Sequence, residues 1–195
     1  MKRVTFVALL LLAATNVAGA DFELGIRHVN TGFLGDSGDL DVVMSRGFGA
    51  TAEAFWTRRL STELAVTLIN PAAEQNGVDL GTLGLQTWSL TARYHLRPDA
   101  TLSPYAGGGA ALAILGNLDD QFGEAVQFDF DRELVPLAEL GLRYRVRPSI
   151  ALDATISYMP LEATPHGTSS DPRVALGSSV SLDPVTVSIS AAWRF

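Results

Sequence analysis

The chain has no cysteine, only three histidines and less base than acid, with 14 lysines and arginines against 21 aspartates and glutamates in 195 residues. Without cysteine there is neither a disulfide nor a thiolate metal centre, so hydrogen bonding and packing must hold the fold. The histidines show no zinc-ligand spacing and no phosphate-cradling glycine loop is present, so neither a metal nor a cofactor is expected. The acidic balance lacks the basic footprint that nucleic acid demands, which removes nucleic acid as a partner. One uncharged run, residues 100–118, approaches the roughly 20 residues of a spanning helix, but it contains Pro104, Gly107, Gly108 and Gly109. Each of these disfavours a helix, and the run reads as a long strand.

Catalytic chemistry is equally thin. A lipid-trimming barrel enzyme needs a nucleophile with a base in reach, yet His28 and His166 fall at or in loops and no serine forms an evident pair with a histidine on one strand face. His95, inward beside Arg93, reads as part of a charged network. Asp119, Asp120, Asp129, Asp131 and Glu133 could offer oxygen ligands to a divalent cation, although a solvated acidic loop explains them as well. No catalytic residue is assigned, and the chain is not expected to be an enzyme.

What is present begins with Lys2 and Arg3, an apolar run over residues 4–14, and Ala18-Gly19-Ala20. This is the pattern of a secretory signal peptide cleaved after Ala20, which leaves residues 21–195 as one domain. Removing Lys2 and Arg3 leaves 12 basic residues against 21 acidic ones, a net charge of −9.

The last stretch organises the rest. From Val185 on, Val185, Val187, Ile189, Ala191, Trp193 and Phe195 point one way, and Thr186, Ser188, Ser190, Ala192 and Arg194 the other. A period of two is a strand, and its length suits the roughly 9–11 residues of a tilted transmembrane strand. The same alternation predicts strands over residues 21–31, 47–57, 62–69, 87–96, 102–115, 134–146 and 150–159. Three connections are short turns and four are loops of roughly fifteen to twenty-three residues, the asymmetry of short periplasmic turns and longer extracellular loops. The fold class is therefore all-β, an eight-stranded antiparallel transmembrane barrel. Lipid offers the backbone no partners, so the first and last strands must pair. Outward Trp56, Tyr94, Tyr144, Trp193 and Phe195 near the turn side, with Trp88 and Tyr158 near the loop side, are placed like interfacial girdles. A soluble sandwich is the competing architecture, and it would not require aromatics at strand ends.

An eight-stranded barrel has room for its own side chains or one small ligand. Near the turns the inward face carries Glu53, Glu63, Arg93, His95, Glu139, Arg143, Arg145, Asp153 and Arg194, with Glu23 and Arg27 close by. Buried charges need partners, so a paired, charged floor is expected. Nearer the loops the expected lining is Ala65, Thr67, Ser89, Ala111, Ala113, Leu137, Ser157, Met159 and Ser188, uncharged and weakly polar. That lining suits an apolar or amphipathic small molecule, and a packed interior without a ligand is an equal alternative.

The terminal Ala191-Ala192-Trp193-Arg194-Phe195 resembles the signal by which outer-membrane barrels are recognised for assembly, with Trp193 and Phe195 as its aromatic members. Together with Asp183-Pro184, Thr62-Glu63-Leu64-Ala65, residues 91–96, Ser157-Tyr158-Met159 and above all Ser103-Pro104-Tyr105-Ala106-Gly107-Gly108-Gly109, the chain resembles the OmpW family. The resemblance implies an outer-membrane barrel whose apolar interior passes small hydrophobic compounds, released through a lateral opening. It also implies as partners the outer-membrane lipids including lipopolysaccharide, the barrel-assembly machinery and a small hydrophobic ligand. Two departures stand out: the bulky residues that narrow the family's channel on the third and seventh strands correspond to Ala65 and Ser157 here, and the third long loop is shorter. A non-transporting barrel whose loops bind host surfaces, phage or lipopolysaccharide is the alternative function.

Overall fold

A computed structural model describes residues 21–34, 40–42, 44–75, 78–119, 126–130, 132–163, 165–169 and 180–195. The expected signal peptide, residues 1–20, lies outside them. Eight long strands carry the architecture: β1 (Asp21–Phe33), β2 (Ser45–Phe55), β3 (Leu60–Ile69), β4 (Val78–His95), β5 (Leu102–Asp119), β6 (Arg132–Arg147), β7 (Ile150–Tyr158) and β8 (Pro184–Arg194). Each pairs antiparallel with its neighbours in the chain, and β1 pairs with β8 from Glu23↔Arg194 to Phe33↔Pro184. The first and last strands are therefore joined and the sheet closes into a barrel, as the absence of hydrogen-bonding solvent in a bilayer requires.

Alternation sets the two faces. Ile26, Phe48, Leu68, Leu90, Leu140, Ile156 and Ile189 lie exposed on the outer wall, while Val29, Thr51, Ala65, Thr91, Glu139, Asp153 and Ser188 are buried within. Aromatics mark the rim: Trp56 donates its Nε1–H to Thr62 and the Tyr94 hydroxyl accepts from Arg59. Such residues combine an apolar body with a wet polar tip, which suits an interface.

The long strands overrun several expected ends. β4 starts at Val78 and not near Thr87, and β5 continues to Asp119. The cause is hairpin pairing: residues of β4 near its start bond to Ala72–Gln75 across a tight connection, and Thr82 still faces Asp119 of β5. Loop segments also pair with one another. Leu40–Val42 joins Ala72–Gln75, and Val126–Phe130 joins Pro165–Ser169. A third pair joins Glu162–Ala163 to Val180–Ser181, so among the described residues the crown above the barrel is built from three loop pairs. Of the acidic residues between β5 and β6, Asp120, Glu124 and Asp131 lie outside the described residues.

A charged floor below a small hydroxyl-lined cavity

The floor follows from register. Glu23 of β1 stands opposite Glu53 of β2, and Glu53 opposite Glu63 of β3, so three carboxylates form one cross-strand row. Like charges directly opposite repel, and the row is stable only because arginines reach it from elsewhere on the wall. Arg93 of β4 holds Glu63 with two hydrogen bonds of 2.6 Å, and it also meets Glu139 and Glu53. Arg143 of β6 binds its register partner Asp153 of β7 at 2.9 Å and spans the lumen to Glu53 and Glu23. Arg27 adds a bond to Glu63 at 2.6 Å, and Arg194 one to Glu23 at 2.6 Å. Arg143 and Arg194 also lie over the Phe55 ring at 5.1 and 4.8 Å, within cation–π range.

All seven floor residues named from the sequence, Glu53, Glu63, Arg93, Glu139, Arg143, Asp153 and Arg194, face the lumen and join this network. Arg145 does not: it donates to the Pro98 carbonyl at 2.9 Å. Its strand position carries it below the acid row, toward the turns. His95 meets the Ser61 hydroxyl at 2.9 Å, and Ser61 in turn donates to Glu53. The serine proton is thus committed to a carboxylate, and the group is built into the floor. Beneath it opens a periplasmic vestibule of about 530 Å³, walled by Phe55, Trp56, His95, Arg143 and Arg194 among others.

Two glycines make the floor possible. Gly107 sits between Arg93 and Glu139 in one cross-strand row, and a Cβ there would press on the Glu139 side chain. Gly141 does the same for Tyr105, whose ring lies across it so that the hydroxyl reaches Thr155 on β7 at 2.6 Å. The ring also lies under the Arg93 guanidinium, 4.8 Å from its carbon. Gly141→Ala should therefore destabilise the barrel by about 1–3 kcal/mol through overpacking, read by urea unfolding in lipid vesicles. In a Tyr105→Ala background the same change should be nearly neutral. Tyr105 and Thr155 were not legible as a pair because three strands must be in register before they meet.

Above the floor lies a cavity of about 50 Å³, room for on the order of three waters. Thr67, Ser89, Ala111, Leu137, Ser157, Met159 and Ser188 line it, together with Thr31, Thr87 and Thr186, and the Arg27 and Glu139 side chains from below. Ala65 and Ala113 also point inward but are packed away from its wall, at 1% and 0% exposure. The expectation of an uncharged cavity thus needs amendment at its base, where a cation and an anion enter the wall. With Ala65 and Ser157 small, the constriction stands higher up. Ile69, Leu85, Leu115, Val135, Met159, Leu161 and Leu182 pack as an apolar plug across the extracellular end.

Leu161 and Leu182 were not singled out from the sequence, since they fall in what reads as loop. They enter the lumen because the Leu182 amide bonds to the Leu161 carbonyl at 2.8 Å and the Leu161 amide to the Asp183 carboxylate at 3.2 Å. Asp183 adopts φ 39°, a left-handed conformation tolerated best by glycine, asparagine and aspartate. The Asp183-Pro184 pair that opens β8 was the available signal. Trp193 faces the outer wall at the turn-side rim, and the Phe195 amide closes on the Phe22 carbonyl at 2.9 Å.

Comparison with known proteins agrees with this architecture. The chain is 27% identical over 106 residues to the outer membrane protein AlkL of Ectopseudomonas oleovorans, a stretch covering 54% of this chain and 44% of that one. It therefore spans less than half the length of the curated relative it matches. Among solved structures, OprG of Pseudomonas aeruginosa superposes with a TM-score of 0.78 at 14% identity, covering 90% of this chain and 96% of OprG. AlkL in lipid bilayers gives a TM-score of 0.60 at 18% identity, with 90% of each chain covered. The OmpW family model matches residues 10–195, and this closed eight-stranded barrel of the bacterial outer membrane is a member of the OmpW family.

Proposed function

We propose that the barrel is a passive conduit for small hydrophobic molecules, which enter from the outside, occupy the upper lumen and leave sideways into the membrane. The observation that carries this reading is the vertical order of the lumen, an apolar plug over a hydroxyl-lined cavity over a closed ionic floor. An apolar solute gains by entering the upper part, whereas crossing the floor would break desolvated ion pairs that are expensive to separate. A straight path is therefore the unfavourable one.

The end of one strand ladder supports a side exit. The β6–β7 ladder stops at Tyr158↔Ala138, while β6 continues to Arg132 paired with β5. Leu137 and Met159, which line the cavity, stand just where that ladder ends. Beyond it, among the described residues, the β7 side of β6 has no ladder partner, and Leu134 and Pro136 face outward there. Proline has no N–H to leave unpaired, which lowers the cost of an open edge. Recognition of Trp193 and Phe195 by the assembly machinery belongs to the same reading, since both lie at the free rim of the closing strand.

The test is uptake of a small apolar dye by vesicles that contain lipopolysaccharide and the refolded chain. Ser157→Trp, which fills the cavity, should reduce uptake to that of protein-free vesicles, and Leu161→Ala with Leu182→Ala should raise it several-fold. Uptake indifferent to both changes would refute the conduit and leave the paired loops, as a surface-binding crown, to account for function.

A further inference from the structure

We infer that the small cavity selects the polar end of a neutral, oxygen-bearing amphiphile, such as a primary alkanol or alkanone, and holds it with the alkyl tail toward the plug. This rests on the conduit reading and adds a substrate class to it. The cavity is the wrong size for a whole hydrophobic molecule: about 50 Å³, against the roughly 300–1,000 Å³ of pockets that enclose drug-sized ligands. It has room for a head group, and a tail must displace the plug side chains above.

Its wall is mixed, with Val29, Ile69, Leu85 and Met159 beside hydroxyl side chains, and so matches an amphiphile better than a pure hydrocarbon. Hydroxyls of Thr67, Thr87, Ser89 and Ser188 stand in the wall, and Arg27 forms part of its base. The Arg27 side chain is nine-tenths buried, and while its Nη2 is bound to Glu63, its Nε–H has no hydrogen-bond partner. A buried donor without an acceptor is costly to leave unmade. An alkane meets only the apolar part of this wall, whereas a hydroxyl or carbonyl oxygen also pairs with its hydroxyls and, on displacing the side chains that cover the Arg27 Nε–H, supplies the acceptor it lacks. A carboxylate would supply it too, but Glu139 shares the cavity wall and is already matched, with Glu63, by Arg93 and Arg27. An added negative charge would be unmatched in a desolvated site, and the neutral oxygen is favoured.

The experiment compares octane, 1-octanol and octanoate for uptake into lipopolysaccharide-containing vesicles, each corrected for the protein-free rate. In parallel, the ¹⁵N signal of the Arg27 Nε–H, assigned by its loss in Arg27→Lys, is followed in nanodiscs. Octanol should pass about tenfold faster than octane or octanoate, the worth of one well-made buried hydrogen bond, and should shift the Nε–H signal while octane does not. Arg27→Lys keeps a cation for Glu63 and removes this donor, so the octanol-to-octane ratio should fall toward one; its unfolding midpoint checks that it folds. Equal passage of octane and octanol overturns the selectivity and leaves the conduit standing, and faster octanoate overturns the preference for a neutral head. Should no probe pass faster than through protein-free vesicles, the conduit itself fails; the Nε–H signal then decides alone, and its indifference to octanol overturns the site.

Discussion

Arg93→Met is expected to lower the free energy of unfolding by about 3–5 kcal/mol, the range for truncating one member of a buried ionic group. The reason lies in what is left behind. Arg93 is 1% exposed and serves Glu63, Glu139 and Glu53 together, so its loss strands carboxylates that already stand beside one another in the Glu23, Glu53, Glu63 row. Arg93→Lys should recover part of the loss and not all of it. A lysine restores the charge but cannot reproduce the two-pronged grip on Glu63 that a planar guanidinium makes. Urea unfolding of the refolded chain in lipid vesicles, followed by tryptophan fluorescence, measures both. A change below about 1 kcal/mol for the methionine variant would mean that the floor contributes little to stability, as exposed pairs do.

The second large effect belongs to the outer wall. Ile189 lies midway along β8 between the rim residue Trp193 and the loop-side Val185, and it is 62% exposed on a face that meets lipid. Ile189→Arg should cost about 2–4 kcal/mol at mid-membrane depth, while Leu102→Arg at the turn-side start of β5 should cost about 0–1 kcal/mol. The gradient between the two is the decisive quantity. Equal penalties at both positions would contradict the assigned depth of the strands.

Period two made the faces legible, and they needed no long-range information. Each strand reports its own inside and outside, so Glu53, Arg93, Glu139 and Arg143 could be assigned to the lumen from local alternation. Their partners could not. Arg143 meets Glu53 across 90 residues of sequence, a contact that depends on the tilt and register of the whole barrel. The same holds for the cavity: the residues of its wall follow from alternation, but the apolar plug above it includes Leu161 and Leu182, whose inward folding rests on a local backbone turn at Asp183. Strand ends were the weakest feature. Gly-, Asp- and Asn-containing segments such as residues 70–84 have no clean alternation, and there the backbone ladder extends because the neighbouring strand offers partners.

The ladder between β1 and β8 joins the two most distant strands, with Glu23 bonded to Arg194 across 171 residues. Contacts of such sequence separation are entropically late, because a loop must close before any bond repays it. The circle cannot be completed until β8 is in hand, so partial products of the chain carry two raw strand edges. Such edges are templates for pairing with other molecules. Passage from the inner to the outer membrane is therefore the hazardous interval in this protein's life, and its folding clock is set by the meeting of its first and last strands.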